Sequence, residues 1–490
     1  MSNLSITQSI IDVYIKECKI VSSVGVLEMM PVLVELNYYE DIFSNSISGN
    51  LLINDSSSLH NKYSWSGDEY LILSFGKTDD DTIIKKVCKI YSMSNRVTTS
   101  ETNENYILNF CSEELLLAQK IRISKTYKNS RIDEIVKDIA FQYLKIDPKE
   151  FLDENIEMTY GTHNITIPNL RPYEAINWLC NYAISNNLPN SRESGATYLF
   201  WQNRYGYFFK SLLEIFKNKD TYFYKGWENT GHGYWYGVKN VDSSRMIGSK
   251  TPNSSKIRDS EQIISYNILK SYNSIENIKK GIFANKLITI DPLTRTYRST
   301  DFNYENYENY TKSNIDLYKS ENKYSIMSNA QDRFGKKYNE YSEGVVKVIP
   351  TNTGQIDNKF VKTNQNEIKD INIEYTLPHR AAQFGLLDTN VLKIVIPGDH
   401  NVSVGMIVKV NLPQTTIDTN NSTKPENKFL SGFYLVSALR HVINKTGDFK
   451  TVLEIRKDSY YDTLEEAPGL TDFDNNNTQL NSLKSKNSIY

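Results

Sequence analysis

Between about Ile11 and Phe110, apolar and polar residues alternate with period two and are broken by turn residues, which predicts a β domain. Val32, Val34, Leu36 and Tyr38 fall on one face of such a run; Leu51 with Ile53, and Leu71 with Leu73 and Phe75, repeat the pattern. Asp79, Asp80 and Asp81 interrupt two runs. Consecutive carboxylates diverge and no EF-hand spacing follows, so they read as a solvated hairpin tip and not a cation site. From Ser130 the period changes: Ile132, Ile135, Val136, Ile139 and Tyr143 recur at three- and four-residue steps, which predicts a helix with Ser130 as its N-cap. A second helix starts with Pro172 in its first turn and buries Ala175, Ile176, Leu179, Cys180 and Ala183. Residues 164–170, between the two, read as a short extended piece.

Strands return after Gly195, with residues 198–201 and 207–210 forming a hairpin around Gly206. Residues 226–237 hold Trp227, Tyr234, Trp235 and Tyr236 among glycines, which reads as a loop packed by its own rings before it reads as a platform for sugars or bases. Residues 303–310 repeat Asn-Tyr-Glu and residues 352–369 are polar, as in linkers or insertions. A late block supplies four more strands, at 391–396, 405–410, 433–439 and 451–456, with a turn at Pro397, Gly398 and Asp399. That spacing fits a compact antiparallel barrel or sandwich.

The 490 residues carry 56 Lys+Arg against 58 Asp+Glu, so affinity for nucleic acid driven by net positive charge is excluded. A mean hydropathy of -0.50 and the lack of any apolar run near the length of a membrane span predict a polar-surfaced globular chain with no stable membrane insertion. The N-terminus shows no basic region followed by an apolar core, which predicts synthesis in a cytoplasm without a signal peptide. Aromatic residues reach 12%, with 34 Tyr; interface chemistry and codon usage both account for such an excess.

Candidate chemistry is sparse. Cys18, Cys88, Cys111 and Cys180 lack the short spacing of metal or redox sites and read as buried small hydrophobes. His60, His163, His232, His379, His400 and His441 sit in separate segments with no i, i+4 pair. No P-loop, dinucleotide fingerprint, zincin or nucleophile-elbow motif is present. Ser-His-Asp sets and carboxylate pairs occur in any chain of this size and carry no information without geometry. No catalytic, cofactor-binding or metal residue is therefore nominated, and the chain is expected not to be an enzyme.

The order of the blocks resembles the baseplate hub proteins of contractile-tailed bacteriophages, which are related in fold to the N-terminal part of type VI secretion spikes. The likeness is carried by Tyr39-Glu40-Asp41-Ile42-Phe43, Ile47-Ser48-Gly49, Asn54-Asp55-Ser56 and Gly67-Asp68-Glu69 near the start. Ile167-Pro168-Asn169 with Pro172-Tyr173 and Ala175-Ile176 follows in the middle, then the hairpin at Tyr205-Gly206-Tyr207. Ile396-Pro397-Gly398-Asp399, Gly405, Val408, Val410, Leu430-Ser431-Gly432, Tyr434-Leu435-Val436 and His441 complete it. Each motif is weak, but their order spans about 450 residues. The resemblance implies an α+β, mainly β chain with two tube-type antiparallel β-barrels and an inserted small helical domain. The first barrel would occupy residues 1–120, the helical domain 121–194, and the discontinuous second barrel 195–225 and 376–461. Inserted peripheral segments would fill 226–375, ahead of a polar tail at 462–490. It further implies a homotrimer in the virion baseplate that adapts a six-fold tail tube to a three-fold central spike. Partners would be the spike, tube proteins and the tape-measure protein, with genome DNA passing through the lumen unbound; a near-neutral charge suits such a conduit. Two alternatives stand beside it: a virion-associated cell-wall hydrolase, prompted by residues 226–237, and a type VI-like spike, against which no OB-type domain or repetitive β-helix follows.

Overall fold

The alternating run at the start of the chain folds as seven strands: β1 (Val13–Ser22), β2 (Gly25–Glu28), β3 (Leu33–Asp41), β4 (Ser48–Asp55), β5 (Tyr70–Lys77), β6 (Ile84–Thr98) and β7 (Glu104–Cys111), with helix α1 (Leu59–Lys62) before β5. The structure is a computed structural model that describes residues 13–63, 65–77, 83–186, 196–220, 235–238, 262–271, 273–292, 295–303, 315, 332, 334–350, 373–414, 426–427, 429–445 and 447–459. Next come α2 (Glu113–Lys120), β8 (Thr126–Ser130), α3 (Ile132–Gln142), β9 (His163–Thr166) and α4 (Pro172–Leu179). The hairpin β10 (Tyr198–Asn203) and β11 (Gly206–Ser211) leads into α5 (Leu212–Asp220). Then follow β12 (Trp235–Gly237), β13 (Ser265–Lys270), α6 (Ser274–Lys279), β14 (Ala284–Asp291), β15 (Thr296–Asn303), β16 (Val346–Pro350) and α7 (Ile373–Leu387). The late block is β17 (Asn390–Pro397), β18 (Ile407–Asn411), β19 (Gly432–Asn444) and β20 (Phe449–Lys457). The chain is α+β and mainly β.

Thirteen strands share one sheet, in the order β13-β17-β20-β19-β3-β4-β7-β6-β5-β1-β2, with β18 and β12 branching from β19. The branch exists because β19 is long enough to serve two neighbours. Val410 to Ile407 of β18 pair with Gly432 to Leu435, and β3 takes over from Ala438 to Asn444. Strands from both ends of the chain therefore build one continuous sheet. One of its faces is sealed by Leu36, Tyr38, Leu51, Ile53, Leu108, Phe110, Leu439, Ile443, Leu453 and Ile455, all within a single core. Leu71, Leu73 and Phe75 are buried there as their alternation predicts, but Val34 is exposed and does not share a face with Leu36 and Tyr38. A β-bulge between Leu33 and Glu35 shifts the register against β4 and turns Val34 outward.

The helical part has its own core, built from Ile135, Val136 and Ile139 of α3, Ala175, Ile176 and Leu179 of α4, and Cys180 and Ala183 after it. The N-cap of α3 is Arg131 and not Ser130, because Ser130 is still paired with His163 as the last residue of β8. Pro172 does sit in the first turn of α4. The hairpin β10–β11 forms a two-stranded sheet that is apolar on both sides. Leu199 and Trp201 enter the large core, while Tyr198, Phe200, Tyr207 and Phe209 enter the helical one. A further sheet, β15-β14-β16, lies within residues 226–375, whereas β12 and β13 from the same interval belong to the long sheet.

Candidate functional site: the polar face of the long sheet

Opposite the core, the long sheet presents a strip of neutral hydrogen-bonding side chains. Register places Asn37, Asn50, Asn109 and Ser92 side by side on β3, β4, β7 and β6. Asn37 Nδ2 donates to Asn50 Oδ1 at 2.9 Å, and Asn109 Nδ2 donates to the hydroxyls of Ser92 and Ser94, both at 3.0 Å. Asn50 Nδ2 reaches the Tyr39 hydroxyl at 3.3 Å, and four residues along the same strands, beyond the Leu52–Ile107 pair, Asn54 donates to Asn105 at 2.9 Å. Cross-strand amide pairs of this kind satisfy each other and hold their side chains flat on the sheet.

Two guanidiniums on this face are paired. Arg440 donates to Asn37 Oδ1 at 2.8 Å and lies 3.5 Å from Glu35, and Arg456 pairs with Glu454 at 2.6 Å. A concavity of about 450 Å³ opens where β3, β19, β20 and β17 meet, lined by Tyr39, Asp41, Ser48, Lys393, Arg440 and Glu454 among others. Burial raises the Asp41 carboxyl above its ordinary range, with Glu454 adding to the effect. A phosphate backbone crossing the strip itself meets amides bonded to one another, with the guanidiniums of Arg440 and Arg456 paired to carboxylates at its side.

Beneath the strip, Glu40 of β3 ties three pieces of chain together. Its carboxylate accepts from the Arg204 backbone N–H at 2.6 Å, the Val404 N–H at 3.1 Å and the Tyr38 hydroxyl at 3.1 Å. Burial pushes its pKa up to about 7, against the pull of those donors. Arg204, in the β10–β11 turn, also donates through its guanidinium to the His400 carbonyl, and Asn203 Nδ2 donates to the Val404 carbonyl at 3.1 Å. His441 of β19 lies stacked on Tyr38 at 6.0 Å, bonded through Nδ1 to Thr451 Oγ1 at 3.0 Å, and burial lowers its pKa to about 3. Gly405 has a left-handed φ of 88°, and a Cβ there would stand 2.8 Å from the Trp201 ring.

The four cysteines are free and buried, as expected of small core residues. Burial pushes the thiols of Cys18 and Cys88 up to about 12 and those of Cys111 and Cys180 to about 11, which removes them as nucleophiles near neutral pH. His163, His379, His400 and His441 are buried, and no cluster of metal-ligating side chains occurs among the described residues. No described helix is long and apolar enough to cross a membrane. Asp79, Asp80 and Asp81, His232 and most of residues 226–237 lie outside the described residues. Of that segment, Trp235–Gly237 forms β12, parallel to β18, with Tyr236 buried and its hydroxyl donating to Asp399 at 3.2 Å. Sequence reasoning missed the asparagine strip and Glu40; the signal for the strip was the Asn pairs four residues apart in β4 (Asn50, Asn54) and β7 (Asn105, Asn109).

No protein-family model and no curated protein sequence matches the chain. Among solved structures, the chain is similar to a tail protein from Neisseria meningitidis MC58, at 9% identity over 91% of this chain and 97% of that one, with a TM-score of 0.45. It is similar to the 43 kDa tail protein of prophage MuSo2 from Shewanella oneidensis, at 8% identity over 90% and 98% of the two chains, with a TM-score of 0.47. A component of the E. coli type VI secretion system, described as similar to T4 bacteriophage tail proteins, matches at 8% identity over 93% and 79%, with a TM-score of 0.39.

Proposed function

We propose that this chain is a structural subunit of a phage tail baseplate: a hub that assembles as a trimer, joins the six-fold tail tube to the three-fold central spike, and lines part of the DNA conduit. The observation that carries the reading is the strip of mutually bonded Asn and Ser side chains on a sheet that runs unbroken through strands from both ends of the chain. A conduit wall needs polar groups that hydrate well and hold no phosphate. The motif order from Tyr39 to His441 supports the same reading. In this proposal residues 1–120 form the first tube-type unit, 195–225 with 376–461 the second, and 121–194 a peripheral helical unit. Spike, tube and tape-measure proteins are its partners, and no catalysis is required of it.

Native mass spectrometry of the full chain, alone and mixed with the spike protein of the same virion, tests the proposal. A trimer that binds one spike trimer is the expected result. A monomer that ignores the spike overturns it.

A further inference from the structure

The long sheet repeats itself. β3, β4, β5, β6 and β7 follow one another in the chain and lie side by side as β3-β4-β7-β6-β5; β13 and then, after the separate sheet of β14, β15 and β16, β17, β18, β19 and β20 lie in the matching order β13-β17-β20-β19-β18. Every neighbour in both sets is antiparallel. The fourth strand of each set, β6 or β19, is long and changes neighbours part-way. In β19 the change falls at a bulge between Val436 and Ala438 against β20; in β6 it falls at a bulge between Ile90 and Ser92 against β7.

Only one of these two long strands is filled. Beyond its bulge, β19 pairs with β3, the first strand of the other set, from Ala438 to Asn444. Beyond its own bulge, β6 from Ser92 to Thr98 has β7 on one side and, among the described residues, no strand on the other. The first strand of the second set, β13, shows the complementary lack. Among the described residues it pairs with β17 alone, all six of its residues are exposed, and Ile264, Tyr266, Ile268 and Leu269 present apolar surface to solvent. Its counterpart β3 buries Leu33, Leu36 and Tyr38. An open, apolar edge strand is a template for another strand.

We infer that the outer half of β6 in one copy of this chain pairs antiparallel with β13 of the next copy, reproducing between molecules the β19–β3 joint made within each. This joint is head to tail, so it closes a ring when the rotation per chain divides a full turn. The inference rests on the trimer reading and deepens it by assigning the contact between copies.

Paired cysteines in the full-length chain test it: one at Ser94 or Val97, the other at Tyr266 or Ile268, oxidised at micromolar protein and run without reductant. The native thiols are buried, so the background is low. Cross-strand neighbours sit about 5.5 Å apart between Cα atoms, within disulfide reach. At least one β6–β13 combination should give covalent dimer and trimer, while each single cysteine gives neither. A second variant, Tyr266→Asp with Ile268→Asp, alters only exposed side chains; it should keep the monomer's melting temperature and weaken assembly at least tenfold. A trimer that forms no β6–β13 cross-link, or assembles unchanged in the Asp variant, overturns the joint and leaves the trimer standing. A chain that stays monomeric overturns both.

Discussion

Glu40 shows how much one side chain decides. Its carboxyl titrates near 7 in the fold against 4.5 when unfolded, so between those values the unfolded chain has released a proton that the native chain keeps. Its contribution is full below pH 4.5 and falls as pH rises to 7, by on the order of 3 kcal/mol at 1.36 kcal/mol per unit. His379 and His441, lowered to about 3, act in the opposite sense and remove stability as pH falls below 6.5. The difference between Glu40→Gln and wild type isolates the first effect. Urea midpoints at pH 4.5 and 7 should show the variant gaining on wild type as pH rises, and a constant gap would refute the assignment. At Gly405, substitution by Ala combines left-handed strain with the Trp201 clash and should cost about 2–4 kcal/mol, measured by the same titration. Alternation in the sequence exposed most core positions, Leu71, Leu73 and Phe75 among them. It placed Val34 on the wrong face, since a bulge is a property of a pair of strands and β4 is invisible from β3 alone. Glu40 was hidden for a related reason: its three donors come from residues up to 364 positions away.

The hairpin β10–β11 is the element on which the architecture turns. The sequence shows its strands and its Gly206 turn clearly, but a run of apolar residues on both faces does not say which core each face serves. Trp201 lies over the large core and Phe200 over the helical one. Trp201→Ala should cost about 3–5 kcal/mol and loosen the large sheet. Phe200→Ala should lose a similar amount, with hydrogen-exchange protection falling first in α3 and α4; equal loss in both regions for both variants would show that the hairpin does not separate them. The helices were legible from period 3.6, while the start of α3 moved by one residue because β8 holds Ser130. The acidic N3 positions are worth testing beside it. Glu134 and Glu174 each accept from the backbone N–H of the preceding Arg at 3.0 Å, and Glu134→Ala should destabilise by about 1 kcal/mol.

At the scale of the molecule, the proposed conduit face makes a prediction about polyanions. The wild-type chain should retain no duplex DNA at about 0.1 M salt. Asn50→Lys, Asn54→Lys and Asn109→Lys together should create binding whose log affinity falls with log salt, by about 0.9 for each phosphate engaged. Fluorescence anisotropy reads this directly, and tight wild-type binding would contradict a non-retaining wall. The unity of the sheet was the part least legible beforehand, since two blocks of strands in a sequence look like two separate domains. What fuses them is Asp41 facing Ala438 across the β3–β19 joint, about 400 residues apart along the chain. That distance is also a delay. At about 5–20 residues per second, a ribosome needs about 20–80 s to deliver β19 after β3 has emerged. Through that interval the nascent chain carries an open strand edge, and no truncated product can close it. Completion of translation thereby becomes the condition for closing the sheet: a chain cut short before Gly432 lacks the strand that fuses its two halves, and still shows the edge that chaperones and proteases act on.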